Sequence, residues 1–260
     1  MSRRIENPHR LSRALSELWK SYRTPLVKLL GGEPLLHPNI DEIIWVIKAR
    51  TGARLRLVTN GVLLKRLHHR LHGIDEVHIS SYPGAIIPTD NEARCIAANL
   101  DASITIQVFD HFRWARSLAR ENTTMTKRIF DTCQLFHSWQ CHTLRDGWFY
   151  ACPPAATWAN GNGEGVNLFE GGSDCKAKLE LVLTRQTPFE SCKECLGSTG
   201  QLFDHRFGWR ASRDTQPTST LDVSFLQSLE LNRDAHNECF EYERTILPSG
   251  KIVQLRGENP

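Results

Sequence analysis

The chain has 260 residues, a formal net charge of +3, 40% hydrophobic and 23% charged side chains. That length admits one large domain or two modest ones. The composition excludes collagen, coiled coil and wholesale disorder, and so small a charge points to no nucleic-acid or membrane partner. The early basic residues Arg3, Arg4, Arg10 and Arg13 precede no apolar run that could form a signal-peptide core or span a bilayer, so a cytoplasmic location is expected.

Leu11, Leu15, Leu18 and Trp19 fall at helical spacing and predict an amphipathic helix that ends near Pro25. The apolar run 26–30, stopped by Gly31-Gly32, predicts a buried strand. Ile40, Ile43, Ile44 and Ile47 recur every three to four residues, with Asp41 and Glu42 in the first turn and Gly52 just past the end. That pattern is a helix with a glycine stop. It repeats as a strand over 55–58, a turn at Asn60-Gly61, a helix through Leu63, Leu64, Leu67 and Leu71, and a strand over 77–81. A helix over 91–99 and a strand carrying Ile104, Ile106 and Val108 complete the series. Strands joined by helical crossovers run parallel.

Beyond about residue 125 the periodicity fades, and cysteine, tryptophan and glycine become frequent; residues 161–165 look like a flexible loop. Three segments follow: an α/β domain over 1–125, a cysteine-rich domain over 126–210, and a C-terminal helix and polar tail over 211–260. Helical spacing at Leu221, Phe225, Leu226 and Leu229 marks that last helix.

No cysteine precedes Cys95, and the thiols crowd between Cys133 and Cys195. In a chain without a secretory signal such crowding is more often a metal site than a disulfide framework. Cys133-x7-Cys141-x10-Cys152 and the closing Cys192-x2-Cys195 supply five candidate ligands. Four thiolates suit either a four-iron four-sulfur cluster or a structural zinc, and spacing alone does not choose. Cys95, Cys175 and Cys239 lack such partners and are expected in the core.

The segment Gly31-Gly32-Glu33-Pro34, followed by Leu35-Leu36-His37-Pro38, lies between a strand and a helix, where parallel α/β proteins gather ligands. Two glycines let the main chain approach a ligand and relax its φ angles, and Glu33 offers an acceptor. Together with Thr59-Asn60-Gly61 and Ile79-Ser80-Ser81 at the next two strand ends, this segment resembles the S-adenosylmethionine-binding motifs of the radical SAM family. The resemblance implies a partial parallel (β/α) barrel. Gly31, Gly32, Glu33 and Pro34 would receive the methionine amino group, Asn60 would stand at the rim of the pocket, and Ser80 would lie near the ribose or carboxylate.

Cys141 followed by Gly147-x4-Cys152-Pro153-Pro154, then Cys192-x2-Cys195, resembles the SPASM or Twitch auxiliary-cluster domain of that family. This implies one four-iron four-sulfur cluster held by Cys152, Cys192 and Cys195 with either Cys133 or Cys141. It also implies an external electron donor and a small or sugar-linked substrate, the latter from the pattern's likeness to a subgroup associated with polysaccharide genes. The family's catalytic Cys-x3-Cys-x2-Cys is absent from the sequence. A shortened or degenerate chain without radical generation is therefore expected, and no catalytic residue is assigned. A non-catalytic iron-sulfur or zinc module is the alternative.

Overall fold

Asn7 opens the first helix, α1 (Pro8–Leu18), by accepting the Arg10 N–H at 3.1 Å, with Pro8 in the first turn, where its missing N–H costs nothing. Its apolar face buries Leu11, Ala14, Leu15 and Leu18. After it come β1 (Leu26–Leu29), α2 (Ile40–Thr51), β2 (Arg54–Thr59), the single turn α3 (Leu64–Leu67), β3 (Glu76–Ser81), α4 (Asp90–Leu100) and β4 (Ser103–Val108). In this computed structural model the described residues are 5–158, 164–170, 174–205, 218–235 and 242–256. Gly52 ends α2 at φ 62°, and Thr89 with Glu92 forms a capping box on α4.

Strands β1 to β4 pair in parallel and in sequential order, with no switch point. With right-handed crossovers such an order sends every connecting helix to one face of the sheet. The side chains divide accordingly. Leu55, Leu57, Val77, Ile79, Ile104 and Ile106 are all completely buried. The alternate positions are polar: Lys28 pairs in register with Arg56 and Arg56 with Glu76, while His78 stands beside Thr105. Buried Glu76 receives Arg56 Nε at 2.6 Å and also pairs with Arg54.

Two expectations change here. The helix expected over 63–71 is only the turn α3 continued by a tighter turn, His68–Arg70. Leu64 and Leu71 reach the core, but Leu63 and Leu67 do not, so the four leucines make no continuous apolar stripe. The polar tail is also structured. Tyr242–Ile246 pairs antiparallel with β4, and Ile252–Arg256 pairs antiparallel with that strand, extending the sheet to six.

Compactness divides the described chain into two units. The first holds residues 5–111, 204–205 and 242–256; the second holds 112–158, 164–170, 174–203 and 218–235. The division falls after His111 instead of near residue 125, and the C-terminal strands return to the first unit. In the second unit, short strands Thr143–Arg145 and Trp148–Tyr150 form a hairpin, with Val166–Asn167 as a third strand. Asp146 (φ 50°) and Gly147 (φ 82°) turn that hairpin, the pair of positive φ angles that matches strand twist. Phe130, Phe136, Ala151 and Phe189 make a buried cluster, and the helix Val223–Leu231 buries Phe225, Leu226 and Leu229 as its spacing implied.

The core placement expected for two lone cysteines is corrected. Cys95 is exposed on α4 and Cys175 is half-buried at the start of the helix Cys175–Leu183. Cys239 and residues 161–163 of the expected loop lie outside the described residues. Among the described residues no helix is long and apolar enough to cross a membrane.

Candidate cofactor sites

The carboxyl ends of β1, β2 and β3 carry the first group of candidate residues. After β1 the chain runs through Gly31 and Gly32 to a short turn, Pro34–Leu36, capped by Glu33. The Glu33 carboxylate accepts from Leu35 N at 3.1 Å, from Thr59 Oγ at 2.8 Å and from Asn60 N at 3.0 Å. Glu33 is thus an acceptor that brackets two strand ends. Pro34 starts the capped turn, where it needs no N–H. Asn60 accepts from Val62 N at 3.0 Å, closing its own turn.

The glycines separate into two kinds. Gly61 has φ 78°, and a Cβ there would lie 2.7 Å from Ile79, so the fold itself requires it. Gly31 and Gly32 have no such need: neither has positive φ, and a Cβ on either would meet nothing within 4 Å. Relaxed φ therefore does not account for them. Ser80 sits two strands from β1 and hydrogen-bonds Tyr82, whose phenol is pushed up by burial and further by Glu33, against the Ser80 bond. Tyr82 stacks on His205 with ring centroids 3.7 Å apart. The sequence reading missed Tyr82. A polar aromatic directly after a strand-end Ser80-Ser81 was the available signal.

The second group lies within the second unit. Cys133 precedes the one-turn helix Gln134–His137, Cys152 precedes the helix Pro153–Trp158, Cys192 lies in the turn Glu190–Glu194, and Cys195 ends that turn. All four line one cavity, walled by Ile129, Phe130, Leu135, Phe136, Pro154 and Phe189, with Ser191 and Gly197 completing it. Cys141 is not in that lining, although its charge reaches Cys133. The structure thus brings Cys133, and not Cys141, to this cavity with Cys152, Cys192 and Cys195.

Burial pushes all four thiols up, Cys192 to about 12. Main-chain amides oppose that shift: those of Phe136 and Leu135 at Cys133, Ala155 at Cys152, Phe189 at Cys192 and Gly197 at Cys195. Hydrogen bonds of this kind favour the thiolate, the form that binds metal. The Gly197 N–H donates to Cys195 Sγ at 3.2 Å. Gly197 holds φ 56°, and a Cβ there would stand 3.0 Å from Cys133 Sγ. Arg120 ties down the turn by donating through Nη2 to the carbonyls of Cys192, at 2.7 Å, and Cys195. Gly197 and Arg120 escaped the sequence reading. The glycine two places after the last cysteine was visible; the arginine, some seventy residues upstream, was not.

Among the described residues no three His, Cys, Asp or Glu side chains converge tightly enough to hold one metal ion.

No family model matches the chain. Short alignments link it to GTP 3′,8-cyclases. It is 44% identical over 57 residues to that of Chlorobaculum tepidum, covering 21% of this chain and 17% of the relative. It is 41% identical over 56 residues to a probable GTP 3′,8-cyclase of Methanococcus maripaludis, covering 21% of this chain and 19% of that one. It is 43% identical over 56 residues to that of Saccharolobus solfataricus, covering 21% and 18%. The matched stretch is thus under a fifth of the length of these curated relatives. At the level of the superfamily, these similarities support a relation to radical SAM enzymes.

Proposed function

We propose that this chain supplies the S-adenosylmethionine-binding strand ends and a Twitch-like auxiliary-cluster domain of a radical SAM protein. The observation that carries the reading is the convergence of Cys133, Cys152, Cys192 and Cys195 on one apolar cavity with amides aimed at their sulfurs. Four thiolates suit a tetrahedral zinc or a four-iron four-sulfur cluster, and the resemblance to the auxiliary-cluster domain favours the cluster.

In the first unit the sequential parallel strands β1 to β4 form part of a (β/α) barrel, and their carboxyl ends form half of a nucleotide pocket. Gly31 and Gly32 leave main chain open to the methionine moiety. Glu33 and Pro34 hold that turn against β2, Asn60 stands at the rim, and Ser80 with Tyr82 offers hydroxyls on the far side. When bound, S-adenosylmethionine supplies hydrogen-abstraction chemistry and the auxiliary cluster one-electron transfer; the protein positions both. The sequence contains no Cys-x3-Cys-x2-Cys, so this chain alone performs no radical initiation. The GTP 3′,8-cyclases act, by their name, on a nucleotide. A small sugar-linked substrate of that kind, with an external electron donor, is proposed for the complete activity.

Anaerobic reconstitution with iron and sulfide tests the reading. The full chain should turn brown with about four irons bound; C152S and C195S should lose the colour, and C141S should keep it. A colourless protein carrying one zinc overturns the cluster, and loss of iron in C141S but not C133S overturns the ligand set. Under reductant, S-adenosylmethionine should yield no 5′-deoxyadenosine, and its release would refute the stated lack of radical initiation.

A further inference from the structure

Glu164 is a carboxylate only 7% exposed. Its Oε1 accepts the N–H of Ser191 at 2.7 Å, the residue directly before Cys192. Among the described residues its Oε2, also buried, meets no donor. A buried carboxylate with one oxygen unsatisfied is costly, and Ser191 itself lines the thiol cavity. Burial is the main reason that Cys152 and Cys192 resist ionisation, and the Glu164 charge adds to the resistance at both. Arg120, half-buried, brings the opposite charge to the same turn.

We propose that Glu164 is a positioning residue acting through electrostatics: its carboxylate keeps the reduction potential of the iron-sulfur cluster in this thiol nest low. The inference rests on the cluster assignment above. Reduction adds one electron to the cluster and makes or breaks no bond. A nearby anion raises the cost of that electron by Coulomb repulsion, which a poorly solvated site screens little. Glu164 thereby keeps the cluster a strong donor, offsetting Arg120.

The test is a dithionite titration of the full, reconstituted chain, followed by the paramagnetic signal of the reduced cluster. E164Q keeps the shape and removes the charge; its midpoint should move to more positive potential at unchanged iron content. E164D keeps the charge and should stay near wild type. An unmoved midpoint in E164Q, or equal shifts in both variants, overturns the proposal while leaving the cluster in place. Loss of the cluster in E164Q also overturns it, by making Glu164 an assembly requirement. If the wild-type chain takes up no iron, the cluster assignment itself falls, and this inference with it.

Discussion

Gly197 concentrates two demands on one residue: a left-handed backbone and a surface flat enough for the Cys133 sulfur to lie against it. Gly52 provides the comparison, since it has φ 62° but a Cβ there would meet nothing within 4 Å. Alanine at a positive-φ glycine costs about 1 kcal/mol or more from the backbone alone. G52A should therefore lower stability by about that amount in urea denaturation and leave reconstitution intact. G197A should suffer the same backbone cost and in addition bind well under half the iron, because the Cβ pushes Cys133 out of place. Equal iron in G197A and wild type would remove Gly197 from the nest. The glycine was legible as a residue two places beyond a Cys-x2-Cys. Its contact with Cys133 was not, because sixty-odd residues of chain separate them.

At the scale of the element, the sheet β1 to β4 has one face of Leu, Val and Ile and an opposite face carrying Lys28, Arg56, Glu76, His78 and Thr105. His78 is the informative member. Burial first, then the Arg56 guanidinium and Lys28, with Glu76 opposing, hold its pKa at about 4. In the unfolded chain the imidazole takes up a proton near ~6.5. The unfolded state thus binds more protons between those values, and stability present above pH ~6.5 is lost as pH falls toward 4. Two and a half pH units correspond to about 3 kcal/mol from this residue at the acid end. Thermal melting from pH 7 to pH 4.5 should show a shallower acid decline for H78Q than for wild type; parallel declines would assign the pH dependence to other groups. Periodicity made β2 and β3 legible as strands but gave no reason to single out His78, since its environment comes from neighbours on adjacent strands.

At the scale of the whole molecule, the described chain forms two compact units, with the strand-end residues in the first and all four nest cysteines in the second. A ligand that binds only the folded state stabilises what it binds by mass action. Iron loading should slow amide hydrogen exchange in Thr123–Asp131 and across 189–199 while leaving β1 to β4 unchanged. Equal protection in both units would mean that they unfold as one cooperative body, and the division drawn from compactness would lose its energetic meaning.

The sequence by itself determined what depends on near neighbours along the chain. That includes the alternation of strand and helix through β4, the glycine stop after α2, the strand-end motifs around Gly32, Asn60 and Ser80, and the five candidate thiols. Tertiary structure decided what depends on distance in space. It seated Cys133 and not Cys141 beside Cys152, Cys192 and Cys195, and turned Glu33 into a bracket. It returned Tyr242–Ile246 to the edge of β4 and buried Glu164 next to the thiols. Local propensity and periodicity act over a few residues, whereas pairing of remote segments is set by which apolar surfaces and hydrogen-bonding groups find partners once the chain has closed on itself.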